Sequence, residues 1–244
     1  MLHVLIFQTV IKPIWDRRGL WALYAIVWIF SWLFPSDLIF LQTILILFAL
    51  VVFVIPHQAA DFFLPAWILN PPWLKRLNYW GGILLLTLAL GMITYGIWAL
   101  SINFSIALFT ALIMWHWGSL DTVPLYPYRG PSWLIASMGR GMLVMVAPLH
   151  FKPLETQEIF INFLGSDQST ILNTLYHFSG YLLVFAVILE IMAALTHKFV
   201  RGHGLPENLF AHLAESLALV LTFAFIEPIY GIVFYFTILH SFRH

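Results

Sequence analysis

The sequence predicts an all-α fold, a polytopic transmembrane helix bundle of about seven to eight spans, and three observations carry that expectation. Of 244 residues, 61% are hydrophobic and 9% charged, whereas a soluble domain needs about a quarter charged residues to keep its surface solvated. The 11 Lys+Arg and 11 Asp+Glu gather between long apolar runs, so lipid must solvate most of the surface. Those runs also have the right length, because a helix crosses a hydrocarbon core of about 30 Å with roughly 20 apolar residues.

Residues 1–18 form a lead-in. Met1 to Ile11 is apolar, but Lys12, Arg17 and Arg18 follow that stretch instead of preceding it, and no small-residue cleavage site appears. The lead-in is therefore expected to lie in the interface or re-enter it, not to act as a signal peptide. The spans fall at about 20–34 (a short one), 38–69, 79–100, 104–120, 133–149, 171–197, 208–226 and 229–244. Within the second, residues 57–69 continue the helix or bend into the interface before Pro71 and Pro72. No repeat, low-complexity tract or soluble module interrupts this pattern, so residues 1–244 read as a single integral membrane domain.

Basic residues in short loops remain cytoplasmic. Lys12, Arg17 and Arg18 precede the first span, Lys75 and Arg76 separate the second and third, Arg129 the fourth and fifth, and Lys198 and Arg201 the sixth and seventh. With eight spans these regions share one side. The other side holds Asp37, the turn at 101–103, and Lys152 with Glu155, Glu158 and Asp167. Both termini are thus expected in the cytoplasm of a multi-pass cell-membrane protein. Trp15, Trp21, Trp73, Trp80 and Trp133 lie near span ends, where amphipathic rings favour the interface. Zero formal net charge and the absence of a basic stripe give no support to a nucleic-acid partner. The absence of cysteine excludes disulfides, thiolate nucleophiles and Cys-held zinc or iron–sulfur groups.

Ten histidines are many for so apolar a chain. His57 closes the second span and His116 the fourth on the cytoplasmic side, and His240 and His244 approach the cytoplasmic end of the eighth. Four imidazoles on three helices thus reach one depth of the membrane. His240 and His244, four residues apart, would share one face of an α-helix. A single buried His is most simply a packed polar residue, but four at one level favour a metal, since polar groups in a bundle are expensive and mark function. All-imidazole ligation suits zinc, copper, iron or nickel. The segment His-Ser-Phe-Arg-His lacks the Glu that serves a zinc peptidase as base, and a bis-haem arrangement would need His pairs separated across the bilayer. Non-haem iron with positions open to dioxygen fits.

Asp61, one turn after His57, is positioned to accept the second N–H of a ligating imidazole. Asp121 follows His116 by five residues, so it serves a ligand only if its helix ends nearby. Deeper in the bundle lies a second polar set, Arg140, Glu190, His212 and Glu215, in which Arg140 and Glu215 are expected to form a structural ion pair, with a proton relay as the alternative. His150 and His177 belong to the opposite side. Of the many aromatics, Trp117, Tyr235 and Phe236 stand nearest the histidines and are candidates to line a pocket for a long apolar substrate.

Four motifs carry a resemblance. Ile55-Pro56-His57-Gln58-Ala59-Ala60-Asp61 resembles the His-Gly-x-x-Asp element of the Brp/Blh family of membrane β-carotene 15,15′-dioxygenases, and Trp115-His116-Trp117-Gly118-Ser119-Leu120-Asp121 its Trp-His-Phe-Gly-x-x-Asp. Gly139-Arg140-Gly141 followed by Pro148 is similar to its Arg-Gly…Pro helix. Tyr235-Phe236-Thr237-Ile238-Leu239-His240-Ser241-Phe242-Arg243-His244 is similar to its Tyr-Phe…His-Ser-x-Arg-His signature. Gln58 stands where that family has Gly, Phe62 where it often has a second His, and the chain stops at His244 where members continue with further helices, which leads to the expectation of a shortened or divergent member.

The resemblance implies iron(II), Fe(2+), held by His57, His116, His240 and His244, and cleavage of the central double bond of β-carotene or a related carotenoid by O2 to give retinal. Hand-over of retinal to a rhodopsin-type protein would follow. Two other functions compete: a non-catalytic carotenoid- or retinal-handling membrane protein with a degenerate metal site, and a di-iron carotenoid or lipid hydroxylase or desaturase. Metal stoichiometry separates the three, with one iron for the dioxygenase, none for the handling protein and two for the hydroxylase.

Overall fold

The computed structural model describes residues 17–33, 44, 47, 48, 51, 73–123, 126, 129–164, 170–201 and 209–240. Most of the span expected at 38–69 lies outside the described residues, and with it His57 and Asp61; so do His244 and residues 1–16. All regular structure among the described residues is helical: α1 (Arg17–Leu33), α2 (Trp73–Leu100), α3 (Ile102–Asp121), α4 (Pro131–Phe151), α5 (Pro153–Leu164), α6 (Thr170–Arg201), α7 (Leu209–Phe225), α8 (Pro228–Phe234) and a π-helix at Tyr235–His240 that follows α8 without a break.

Three stretches are long and apolar enough to cross a membrane: Leu77–Leu100, Pro131–Phe151 and Thr170–Phe199. This marks the chain as a membrane protein. Gly19–Leu33, His212–Phe225 and Pro228–Thr237 are apolar but shorter. Between 149 and 171, where the sequence pattern suggests only a loop, the structure has α5. Pro153 opens this helix, and it is held to α4 by the Thr156 hydroxyl, which donates to the Pro148 carbonyl at 3.0 Å.

The helix ends follow local chemistry. The Ser101 hydroxyl caps α3 by accepting from the Phe104 N–H at 3.3 Å, an orphan donor of the first turn. Pro131 starts α4 at a position where its missing N–H is no loss. Pro228 likewise restarts the chain after α7, so the final apolar stretch is a separate short helix running into the π-helix.

The helix α4 is the axis of the fold. Its apolar span is 61% buried, against 28% for α6 and none for α2, and it packs against α3, α5, α6 and α7. With no hydrophobic force between helices in lipid, close backbone approach must supply the association, and small residues on α4 allow it. A β-carbon on Gly118 of α3 would overlap the Ser137 carbonyl oxygen and sit 2.7 Å from the Gly141 nitrogen, while one on Gly141 would overlap the Met114 carbonyl. Gly139 faces α6, where a β-carbon would meet the Ala186 carbonyl oxygen at 2.9 Å and the Glu190 nitrogen at 3.1 Å. Gly139 and Gly141 thus bring one flanking helix to each side of the residue between them, Arg140.

The other helices attach to this pair. The Trp28 indole on α1 donates to the Thr222 hydroxyl on α7 at 3.0 Å, and Tyr24 meets Phe234 of α8 edge-on at 5.1 Å. The Asn103 side chain at the start of α3 accepts from the Ile171 N–H at 3.3 Å, joining α3 to α6 at the end far from His116.

Gly118→Ala or Gly141→Ala should force α3 and α4 apart. Overpacking of this kind costs about 1–3 kcal/mol or more, read as a lowered midpoint of thermal unfolding in detergent. Gly91→Ala in α2, where nothing lies within 4 Å, should leave the midpoint unchanged or slightly raised. Equal midpoints for all three variants would refute the close crossing.

Candidate functional site

The site lies where α3 ends against the π-helix. The α3 helix terminates at Asp121, with Thr122 as its C-cap, and the Thr122 hydroxyl donates back to the Gly118 carbonyl at 2.8 Å. This turns the Asp121 side chain inward, where it is buried. The imidazole that it meets comes from another helix: His240 Nδ1 lies 3.2 Å from Asp121 Oδ1. Asp121 Oδ2 accepts from the Tyr235 hydroxyl at 2.8 Å and from Arg140 Nε at 3.4 Å. One carboxylate therefore binds a histidine with one oxygen and is itself held by two donors through the other.

Helix winding makes that double contact possible. Five residues along an α-helix turn a side chain by about 140° from the starting face, which would keep Tyr235 and His240 from one partner. In a π-helix hydrogen bonds run from i to i+5, so the residue five positions on returns to nearly the same face. Tyr235 and His240 are five apart in the π-helix, and their rings stack at 6.0 Å with 30° between planes. The winding is π up to His240; the face expected to pair His240 with His244 falls on residues 241–244, outside the described residues.

His116 and His240 come together, their rings edge to face at 5.2 Å. His116 sits on the exposed rim of α3 and His240 is fully buried. Around His240 stand the three aromatics singled out in the sequence: Phe236 at 5.5 Å, Trp117 at 6.4 Å and Tyr235 as above, with Trp117 also 5.2 Å from Tyr235. His150 is at the far end of α4 and His177 near the start of α6, both away from this cluster.

The deeper polar set is continuous with the histidine site through Arg140, a link that the sequence reading missed. The Arg140 side chain is completely buried. Besides Asp121 it donates to Glu215 Oε1 at 2.7 Å and to the Ser216 hydroxyl at 2.8 Å. Ser216 donates in turn to Glu190 Oε1 at 3.0 Å, and His212 Nε2 stands 3.6 Å from that same oxygen. Four helices and the π-helix contribute to the network. At its outer edge, in the turn between α3 and α4, burial and the Glu190 charge push the Tyr126 phenol up to about 12. The one sequence signal for this link was the flanking of Arg140 by two glycines, which the packing of α4 explains.

The donor set suits a divalent metal on two grounds. Opposite an ionised Asp121, which only accepts hydrogen bonds, His240 Nδ1 is the donor, and Nε2 is the nitrogen turned away from the carboxylate. A histidine fixed by a carboxylate through its other nitrogen is the usual setting of a metal ligand. In addition, two imidazoles from different helices, His116 and His240, meet ring to ring at 5.2 Å, and imidazole is a ligand for divalent transition metals. Among the described residues no three His, Asp or Glu side chains form a complete metal cage by themselves. His116 and His240 supply two imidazoles, and the other two expected ligands, His57 and His244, lie outside the described residues.

The fold and site define a helical membrane protein with a histidine–carboxylate centre walled by aromatic rings. The model of the beta-carotene 15,15'-dioxygenase family matches residues 48–244, and the chain belongs to that family of carotenoid dioxygenases. Neither a curated protein nor a solved structure matches it.

Arg140→Met should cost about 3–5 kcal/mol, the usual result of leaving buried charges without their partner. It would show as poor recovery of folded protein from membranes and a sharply lowered unfolding midpoint. A midpoint equal to that of the unaltered protein would mean that the ion pairs contribute nothing to the fold.

Proposed function

We propose that the chain cleaves β-carotene, or a related carotenoid, at its central 15,15′ double bond with dioxygen to give retinal, at an iron(II) centre held by His57, His116, His240 and His244. The observation that carries this reading is the meeting of His116 and His240, from two different helices, over the buried Asp121 within the stretch matched by the family. Iron(II), when bound, supplies activation of dioxygen.

The reaction balances without further reactants. One carbon–carbon double bond is lost, two aldehyde carbonyls form, and both oxygen atoms come from one O2, so neither an external reductant nor a net proton is needed. A proton relay through Arg140 is thus unnecessary, and the network around it serves to hold the site. Asp121 holds the ring of His240 through Nδ1, with Nε2 on the side away from the carboxylate. Trp117, Tyr235 and Phe236 offer the apolar faces against which a polyene packs and from which water is excluded. His116, on the exposed rim, marks the side from which a substrate dissolved in lipid reaches the centre. The Lys/Arg pattern puts this end of the bundle at the cytoplasmic face, and the retinal released there is available to a retinal-binding membrane protein of the rhodopsin type.

Expression in a bacterial host that accumulates β-carotene tests the reading, with carotenoids and retinal separated by chromatography. Retinal should appear as β-carotene disappears, and His116→Ala should reduce it to the level of the empty host. Intact β-carotene in the presence of folded, membrane-inserted protein would overturn the proposal, as would unchanged retinal in the His116→Ala strain.

A further inference from the structure

Asp121 depends on two donors that the reaction itself does not require. Tyr235 and Arg140 both bind Oδ2, leaving Oδ1 for His240. A carboxylate on a two-bond side chain otherwise rotates freely, and either oxygen would meet the imidazole at variable distance. Here the Tyr235 hydroxyl comes from the same π-helix as His240, and the guanidinium comes from α4, which is fixed against α3 by Gly118 and Gly141. Nη1 and Nη2 of Arg140 donate to Ser216 and Glu215 of α7, so its fork is held from both ends. Guanidinium geometry suits this task, since a planar array of N–H groups can hold carboxylates on two sides at once.

We propose that Arg140 and Tyr235 form a clamp on Asp121 that positions His240 for metal binding. The two are positioning residues that act through Asp121 and touch neither metal nor substrate. The clamp also accounts for the π-helix, which alone puts Tyr235 and His240 on the same carboxylate. Glu215 has a separate part: it balances the charge of Arg140 from the far side and does not reach His240.

This inference rests on the metal-centre reading above, and the experiment separates the two. The full chain, purified in detergent, is titrated anaerobically with iron(II) in competition with a chromogenic chelator. Tyr235→Phe, which removes one hydroxyl, should weaken iron binding a few-fold and lower the unfolding midpoint only modestly, as the loss of one buried hydrogen bond does. Arg140→Met paired with Glu215→Gln removes the Arg140 arm of the clamp without leaving Glu215 as an unpaired buried charge. This double variant should lose about 10- to 100-fold in affinity, the range for residues that orient metal ligands, while Glu215→Gln alone stays within about twofold of the parent. A double variant that binds iron as tightly as Glu215→Gln would overturn the clamp and leave the metal centre standing. Parent protein that binds no iron would instead overturn the metal centre. The clamp is then read in metal-free protein from the 15N resonances of His240. Loosened orientation of Asp121 should shift the His240 Nδ1 resonance in Tyr235→Phe and in the double variant relative to the parent. Identical His240 resonances in parent and Tyr235→Phe refute it even where the double variant does not fold.

Discussion

A guanidinium buried in the middle of a membrane bundle is the constraint to which the rest of this structure answers. Among the described residues Arg140 is the largest fully buried side chain, and in lipid or protein interior its charge must be met on every side. The partners come from α3 and α7, with Glu190 of α6 reached through Ser216. Each of those helices must therefore approach α4 closely and at one register. The glycines on either side of Arg140 make the approach sterically possible, and the ionic contacts make other registers costly. Packing and charge specify the same arrangement.

The histidine centre inherits its geometry from that arrangement. Asp121 is the last residue of α3, and its position follows from the Gly118–Gly141 crossing and from the cap formed by Thr122. Because Asp121 is fixed, the chain after Pro228 has a target, and π-winding lets Tyr235 and His240 both reach it. The π-segment exposes fewer well-formed backbone hydrogen bonds than an α-helix would, so the two side-chain contacts to Asp121 help to offset a locally less favourable backbone. Strain of winding, aromatic packing and ligand orientation are thus coupled in six residues.

Much of this was legible in the sequence, and the limits of legibility are physical. Bulk hydropathy and run length reveal an all-helical membrane protein because lipid imposes them on every span. Arg140 and Glu215 stand out because an ionisable residue in an apolar run requires a partner, and the two nearest in depth were the natural pair. The motifs around His116 and His240 carry the family. Three features were not legible. The π-winding leaves no mark in hydrophobic period, since Tyr-Phe-Thr-Ile-Leu is apolar in any helix. The continuity between Arg140 and Asp121 depends on the register of α3 against α4, which is set by backbone overlap at Gly118 and Gly141 and cannot be derived from one helix alone. The partner of Asp121 was sought near His116, its neighbour in sequence, whereas the carboxylate meets an imidazole 119 residues away. The helix α5 was missed for a related reason, being too short and too polar to register as a span.

The distribution of charge also bears on why such a network persists next to an oxidising centre. A carotenoid-cleaving reaction needs dioxygen and substrate in an apolar space, and that space gives a metal cation little to bind. Asp121 and Glu215 pair with the Arg140 guanidinium and Glu190 lies beside His212, and Asp121 links this network through His240 to the aromatic wall. Glu190 and Glu215 remain deeper, occupied by Arg140, Ser216 and His212, and so stay out of the histidine centre. A carboxylate bound directly at the centre would take a position that dioxygen or the polyene needs. Contact through Asp121 and His240 leaves the side away from the carboxylates composed of imidazole and aromatic rings, which is the environment that the proposed chemistry requires.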